Sequence, residues 1–244
     1  MKLSDNPIFL LGGRDLEMIE IKKILDSKGA CYVDRDLSWG AKLSDYRDIL
    51  NDEQMFYGIE LILDISPPKN YTVIDHHNQL QSRDSSIEQI AKIFDIELDR
   101  FRELVAINDK AYIDGMRSFG ATDDEIEHIR MLDRQAQGVT PDDEIIAQAI
   151  ISKLDLKDEI IVIDTTLERF SPIIDRLYGK NILITNRYNL NYYGKGVKKL
   201  VREFKDMIEN KEAYYGGGYG FFGISIKSSD IGKYKKRVLE IITG

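Results

Sequence analysis

The segment YTVIDHHN at residues 71–78 runs from a short apolar stretch directly into an aspartate and two adjacent histidines. Three similar apolar stretches precede it, and the first two are separated by residues 16–27, whose apolar side chains recur at helical spacing. Short apolar stretches that alternate with amphipathic helices are typical of βαβ units and parallel sheets. The sequence therefore predicts four strands, at residues 8–13, 30–34, 59–65 and 71–75.

After Asp75 the pattern changes from strands to helices. Helices are predicted at residues 86–94, 99–118, 123–137 and 142–153. A second region of alternating strands and helices starts at Glu159. The sequence therefore predicts an α/β protein, with an N-terminal parallel-sheet domain and a helical connection at residues 1–154, and a smaller α/β domain at residues 158–244.

The composition indicates a packed protein that acts on a small ligand. Of the 244 residues, 43% are hydrophobic and 31% are charged, which is typical of a globular fold. The net charge of −8 argues against binding along long nucleic acids, because such binding relies on many Lys and Arg contacts to phosphates. No stretch approaches the roughly 18 apolar residues of a membrane helix, so we expect a cytoplasmic protein without membrane contact. The single cysteine, Cys31, is predicted to be a buried strand residue, and a homo-oligomer is compatible with these features.

Acidic and imidazole side chains follow three of the predicted strands. They are Asp15 and Glu17 after the first strand, Asp64 near the end of the third, and Asp75, His76 and His77 after the fourth. Parallel α/β sheets bind ligands at the carboxyl ends of their strands, so we expect these side chains to converge. Carboxylates joined by one imidazole favour Mn²⁺ over Mg²⁺. Such an ion would neutralise phosphate oxygens and lower the pKa of a water, while a second histidine could act as a general acid.

Each acid also has an ordinary structural interpretation. Asp15 could cap the helix that starts at Leu16, a position that Asp favours. Asp64 could stabilise a turn before the Ser-Pro-Pro sequence that follows it, and Asp109 could be a buried helix acid paired with Lys110 or Arg117. Taken together with the adjacent histidines, the acids favour a metal site.

The segment YYGGGYG at residues 214–220 indicates a second candidate site. Its glycines Gly216, Gly217 and Gly218 lack a Cβ atom, so backbone N–H groups could approach an anion closely. For a lone glycine run, a tight turn between a helix and a strand is the favoured interpretation. Arg187 and several nearby lysines favour an anion site, and neighbouring tyrosines such as Tyr219 offer faces that could stack on a base. The predicted partner is a small anionic or nucleotide ligand.

These two motifs together resemble those of the DHH phosphoesterase superfamily, of which this chain would be a divergent member. The IDHHN sequence at residues 74–78 is similar to the superfamily's defining motif, and the glycine run is similar to the GGGH motif of its DHHA1-like C-terminal domain. The resemblance implies a divalent-metal-dependent phosphoesterase acting on a small phosphorylated or nucleotide substrate. The implied metal ligands are Asp15, Glu17, Asp64, His76 and Asp109. His77 would act near the scissile phosphate and Asp75 would orient the site, while Arg187, Gly216, Gly217, Gly218 and Tyr219 would bind substrate.

Three positions depart from the pattern of that superfamily. Leu11 stands where metal-rich members have a histidine, Glu17 replaces an aspartate, and Tyr219 replaces the histidine of GGGH. One of the two usual metal positions therefore loses a ligand, so we expect one Mn²⁺ or Mg²⁺ ion and keep a two-ion site open. The alternative function is that of a ligand-binding or regulatory protein on the same scaffold with altered catalysis.

Overall fold

The fold is described from a computed structural model that covers residues 6–38, 40–216, 220–225 and 230–244. Backbone proximity divides the chain into two compact units, residues 1–138 and 139–244. The predicted α/β class is confirmed, with a parallel sheet in the first unit and a second sheet in the shorter second unit. No helix in the described ranges is long and apolar enough to cross a membrane.

The first unit is built on a parallel sheet that has four strands in the described part of the chain. They are β1 (Ile8–Leu11), β2 (Cys31–Val33), β3 (Phe56–Ile59) and β4 (Tyr71–Ile74), in the spatial order β2-β1-β3-β4. The central strands pair so that Leu11 lies opposite Ile59, and Ile59 lies opposite Ile74. The carboxyl ends of β1, β3 and β4 are therefore level with one another at one edge of the sheet.

Helices cover this sheet and bury its apolar side chains. They are α1 (Leu16–Ser27), α2 (Ser86–Ile93), α3 (Arg100–Ser118) and α4 (Asp123–Ala136). The apolar face predicted for α1 is buried: Met18, Ile21 and Ile24 pack with Phe9 and Leu11 of β1. Helix α3 is irregular, because Tyr112 has φ 54° and ψ −148°, which interrupts the helix three residues after Asp109.

Strand β3 differs from the strand predicted at residues 59–65. The chain leaves the sheet at Glu60, which has a positive φ of 54°, so the strand ends at Ile59. Beyond it, Leu61 is buried, whereas Ile62 and Leu63 are 53% and 47% exposed. The predicted strand therefore overlaps β3 only at Ile59, because most of the apolar stretch follows the strand and part of it lies on the surface.

The second unit contains a mixed sheet whose described strands number five. They are β5 (Ile161–Asp164), β6 (Ile182–Thr185), β7 (Asn189–Tyr193), β8 (Ala213–Gly216) and β9 (Phe221–Ser225), in the spatial order β5-β6-β7-β9-β8. Only β5 and β6 pair in parallel within that set. Helices α5 (Pro141–Ile151), α6 (Ser171–Ile174), α7 (Val197–Glu203), α8 (Lys205–Glu209) and α9 (Ile231–Thr243) complete the unit.

The structure differs from the sequence interpretation at several elements of this unit and at Cys31. Helix α5, assigned by sequence to residues 1–154, belongs to the second unit because Ala147 packs with Ile161 and Ile173. Strands β7 and β8 were not predicted, since their Asn, Tyr and Gly residues lack a continuous apolar pattern. Cys31 is exposed and not buried, because it starts the edge strand β2.

Candidate metal centre

Side chains from neighbouring strand ends meet at the carboxyl edge of the first sheet. Glu60 directly follows β3, and Asp75, His76 and His77 directly follow β4. Glu17 lies in the first turn of α1, which follows β1, and Asp109 comes from the turn of α3 before its break. Sheet register therefore brings together residues that are far apart in sequence.

His76 is the centre of this group and is only 4% exposed. Its Nε2 atom lies 2.6 Å from Asp109 Oδ2, 3.6 Å from Glu17 Oε2 and 3.8 Å from Glu60 Oε1. Within the described residues, Glu60, His76, His77 and Asp109 each offer a ligand atom, and these atoms all lie within 4.8 Å of one another. This spacing suits ligands that surround a single ion.

The four atoms that converge at His76 form no hydrogen bond with good geometry in the described part of the chain. They are Glu17 Oε2, Glu60 Oε1, His76 Nε2 and Asp109 Oδ2. Buried polar atoms are nearly always hydrogen-bonded in folded proteins, so Glu17 Oε2 and Glu60 Oε1, which lie 3.6 and 3.8 Å from His76 Nε2, indicate a missing partner. A divalent cation fits that position, because three carboxylates and one imidazole match the donors that Mn²⁺ accepts.

The electrostatics of the carboxylates also indicate a site for positive charge. Burial and the nearby Asp109 raise the pKa of Glu17 to about 8. Burial and the charge of Glu17 raise the pKa of Glu60 well above its ordinary value. Burial and Asp109 likewise raise the pKa of Asp15 to about 6. Without a cation, these acids disfavour one another's ionised form, and a bound divalent ion would remove that penalty.

Glu17 and Asp15 are both held by helix N-termini. The Ile87 N–H at the start of α2 donates to Glu17 Oε1 at 3.0 Å, which leaves Glu17 Oε2 facing His76. The Met18 N–H donates to Asp15 Oδ1 at 2.8 Å, so Asp15 is the N-cap of α1. The capping interpretation of Asp15 is therefore confirmed, while its raised pKa reflects burial and the proximity of Asp109.

Gly12 permits the close approach of β1 to the residue that carries one of these carboxylates. A Cβ atom added at Gly12 would lie 2.3 Å from the Ile59 carbonyl oxygen and 2.6 Å from that of Glu60. Any side chain at this position would push Glu60 away from β1. The adjacent Gly13 has open space around its position, so only the first glycine is required by packing.

The two adjacent histidines have different environments. His77 is 43% exposed, whereas His76 is buried, although their rings lie 4.4 Å apart. Asp75 Oδ1 accepts a hydrogen bond from the His77 backbone N–H at 2.8 Å and lies 2.9 Å from His77 Nδ1. This contact with Asp75 raises the pKa of His77 and turns its Nε2 toward Asp109 Oδ2, 3.8 Å away. Asp75 therefore fixes the orientation of the His77 ring, whose Nε2 side faces the cluster.

The structure does not bring Asp64 to this group. Its carboxylate is exposed and accepts hydrogen bonds from the Ser44 N–H at 3.0 Å and the Ser44 hydroxyl at 2.6 Å. This contact lowers the pKa of Asp64, as expected for an acid that stabilises a turn. The residue that takes its expected place is Glu60, which the sequence interpretation missed because it counted Glu60 as part of the strand. The sequence did contain a signal for Glu60 as a site residue: it is an acid within an apolar run, at the turn that ends β3.

The predicted substrate-binding residues lie in the second unit. Arg187 is exposed, and its guanidinium carbon lies 5.2 Å from the centre of the Tyr188 ring. Gly216 ends strand β8, where Phe221 lies close to its Cα. Gly217, Gly218 and Tyr219 lie outside the described residues. The anion site therefore stays a prediction.

Comparison with known proteins gives similarity in fold and not in sequence. No family model matches the chain, and no curated protein matches it by sequence. Among solved structures, the pGpG-specific phosphodiesterase PggH from Vibrio cholerae is similar, with a TM-score of 0.54 and 12% identity over 98% of this chain and 99% of that one. RecJ from Thermus thermophilus in complex with Mn²⁺ has a TM-score of 0.49 and 10% identity, over 95% of this chain and 51% of that one. At 12% identity the similarity to the phosphodiesterase establishes a shared fold along nearly the whole chain.

Proposed function

We propose that this chain is a divalent-metal-dependent phosphoesterase of the DHH type that hydrolyses a small phosphorylated or nucleotide substrate. The observation that carries the proposal is the convergence of carboxylate oxygens from Glu17, Glu60 and Asp109 on the buried Nε2 atom of His76. The whole-length fold similarity to a phosphodiesterase supports the same reaction class. In the proposed ligand set Glu60 replaces Asp64.

The proposed ion is Mn²⁺, with Mg²⁺ as the second choice. Glu60, His76 and Asp109 would hold it together with Glu17, whose Oε2 lies 3.6 Å from His76 Nε2, and Asp15 would contribute negative charge from the adjacent helix cap. When bound, such an ion supplies charge neutralisation for phosphate oxygens and a water of lowered pKa. We expect one ion, because Leu11, at the position of a histidine in metal-rich members, is buried in the apolar core.

His77, oriented by Asp75, would donate a proton to the leaving group. Asp75 accepts from the His77 ring and raises the pKa of His77, so the protonated form is available near neutral pH. The exposed Nε2 side of the ring would then donate that proton to the leaving-group oxygen. In the second unit, Arg187 and the glycine run would bind the substrate's anionic part.

Metal content and turnover, measured on one preparation, test this proposal. The protein is equilibrated with Mn²⁺ and assayed on linear dinucleotides including pGpG, on a nitrophenyl phosphodiester and on pyrophosphate. We expect Mn²⁺-dependent turnover of at least one substrate, lost with metal binding in His76→Ala. The matched control is Asp64→Ala, which removes an acid outside the cluster and should leave both properties unchanged. Metal binding that survives in His76→Ala would contradict the proposed site.

A second candidate is a ligand-binding or regulatory protein that keeps the scaffold without turnover. The packing of Leu11 in the core favours it, since a second ion position would lack that ligand. The same assay separates the two functions: this candidate binds metal and a nucleotide, as measured by calorimetry, and hydrolyses nothing in the substrate panel.

A further inference from the structure

A buried ion pair on α4 contacts both segments that carry the ligands of the proposed metal centre. Arg130 and Asp133 are each 5% exposed, and Arg130 Nη1 donates to Asp133 Oδ2 at 2.6 Å. Removing two charges from water is costly and is offset only when further hydrogen bonds satisfy both groups. This pair has such bonds, and they lead to α1 and α3.

Asp133 holds the start of α1. The Leu16 N–H donates to Asp133 Oδ1 at 3.2 Å, although the two residues are 117 positions apart. Leu16 stands between Asp15, the N-cap, and Glu17, whose free carboxylate oxygen faces His76. The contact therefore fixes the backbone from which both acids project.

Arg130 holds the turn of α3 that carries Asp109. Its Nη1 donates to Asn108 Oδ1 at 2.9 Å, directly before Asp109 in the chain. Its guanidinium carbon also lies 4.3 Å from the centre of the Tyr112 ring, at the residue where α3 breaks. Since the regular helix is interrupted there, the backbone beyond Asp109 lacks the support of a continuous helix. Arg130 contacts residues on both sides of Asp109, namely Asn108 before it and Tyr112 after it.

We propose that Arg130 and Asp133 are positioning residues, which hold the start of α1 and the turn around Asp109 at a fixed spacing across the metal centre. The inference rests on the proposed function, because it concerns ligands of the proposed ion. The need for such a pair follows from the site itself: a metal centre requires its ligand atoms at fixed distances, and Glu17 and Asp109 come from two different helices whose spacing must therefore be set. Arg130 contacts the segment around Asp109, and its partner Asp133 contacts the segment around Glu17.

The test compares Mn²⁺ affinity in variants of Arg130 and of Asn108, the residue that Arg130 contacts beside Asp109. Arg130→Lys keeps the charge, but its side chain is one bond shorter than the path to the Nη1 atom that contacts Asn108 and Asp133, and it lacks the planar guanidinium beside Tyr112. Asn108→Ala removes the bond beside Asp109. We expect each to weaken Mn²⁺ binding by about 10-fold or more in calorimetry, the usual scale for groups that orient metal ligands. The double variant should bind no more weakly than the weaker single variant, because both act through one contact.

The matched control is Arg100→Lys, which loosens the same pair of helices at the start of α3, where Arg100 pairs with Glu125. It should leave Mn²⁺ affinity within about twofold of wild type. A second measurement, amide hydrogen exchange of residues 108–113 in metal-free protein, should show faster exchange in Asn108→Ala than in Arg100→Lys.

Equal Mn²⁺ affinity in Asn108→Ala and Arg100→Lys would overturn the positioning role, as would additive losses in the double variant. If Arg130→Lys does not fold, Asn108→Ala decides the matter alone. If wild type binds no Mn²⁺, the proposed function fails, and the exchange of residues 108–113 still decides whether the network holds this turn.

Discussion

Replacing Gly12 by alanine tests whether strand spacing sets the geometry of the metal centre. The added Cβ would lie 2.3 Å from the Ile59 carbonyl oxygen, whereas ordinary contact begins at about 3.4 Å. Strands β1 and β3 must therefore separate by about 1 Å at this point. Glu60 directly follows Ile59, so its carboxylate moves with the strand end, while His76 stays with β4.

A displacement of this size is large for a metal ligand. Ligand distances in metal sites vary by only about 0.2 Å, so a ligand displaced by about 1 Å is effectively lost. We expect Gly12→Ala to weaken Mn²⁺ binding by about 10- to 100-fold and to lower the free energy of unfolding by about 1–3 kcal/mol. Calorimetry measures the affinity, and urea unfolding followed by circular dichroism measures the stability.

Gly13→Ala is the matched control, because the space around Gly13 is open. This variant should bind Mn²⁺ like wild type and unfold at an equal or higher urea concentration, since alanine restricts the unfolded chain. If Gly12→Ala folds and binds Mn²⁺ as tightly as Gly13→Ala, then the spacing of β1 and β3 does not control the centre, and Glu60 is not a ligand.

Three further outcomes are expected at the metal centre, and one in the second unit. With the pKa of Glu17 at about 8 and that of Glu60 well above its ordinary value, Mn²⁺ should release protons when it binds at pH 7, and it should bind more tightly as the pH rises toward 8. Calorimetry in two buffers measures the proton release, and zero release would contradict the site. The metal-free protein should become less stable as the pH rises from 4.5, the ordinary pKa of a glutamate, to about 8, because in this range the folded state holds more protons than the unfolded state. Urea unfolding across this range measures the loss of stability. His77→Gln should lower turnover by about 10²-fold at unchanged Mn²⁺ affinity, and equal turnover would reject the general-acid role. Arg187→Ala should weaken nucleotide binding and leave Mn²⁺ affinity intact, whereas a loss of metal would reassign Arg187.

The prediction of the fold succeeded where local pattern and tertiary packing agree. The run that ends at Ile74 forms the edge strand β4, and the amphipathic stretch at residues 16–27 forms α1. Strands rich in Asn and Tyr, such as β7, were missed because their pairing with β6 and β9 and not their own composition stabilises them. Local signals cannot report hydrogen bonds made to distant strands.

The proposed metal ligands show the same difference between what local sequence indicates and what only tertiary packing decides. Asp15, Glu17 and the IDHHN segment could be located from sequence, since each follows an apolar strand. The choice between Glu60 and Asp64 could not, because both acids belong to one apolar stretch and only the turn at Glu60 shows where the strand ends. A one-residue change in where a strand stops redirects every side chain after it.

The sequence by itself therefore determined the α/β class, three of the four described strands of the first sheet and the chemistry of the residues that follow β4. Only the tertiary structure decided which acids surround His76, how Asp75 orients His77, and that Arg130 and Asp133 contact both ligand-bearing segments. The physical reason is the distance along the chain between the residues that interact. Strand and helix patterns reflect neighbours a few residues apart, whereas a metal centre depends on side chains brought together from β1, β3, β4 and α3 by sheet register and buried polar contacts.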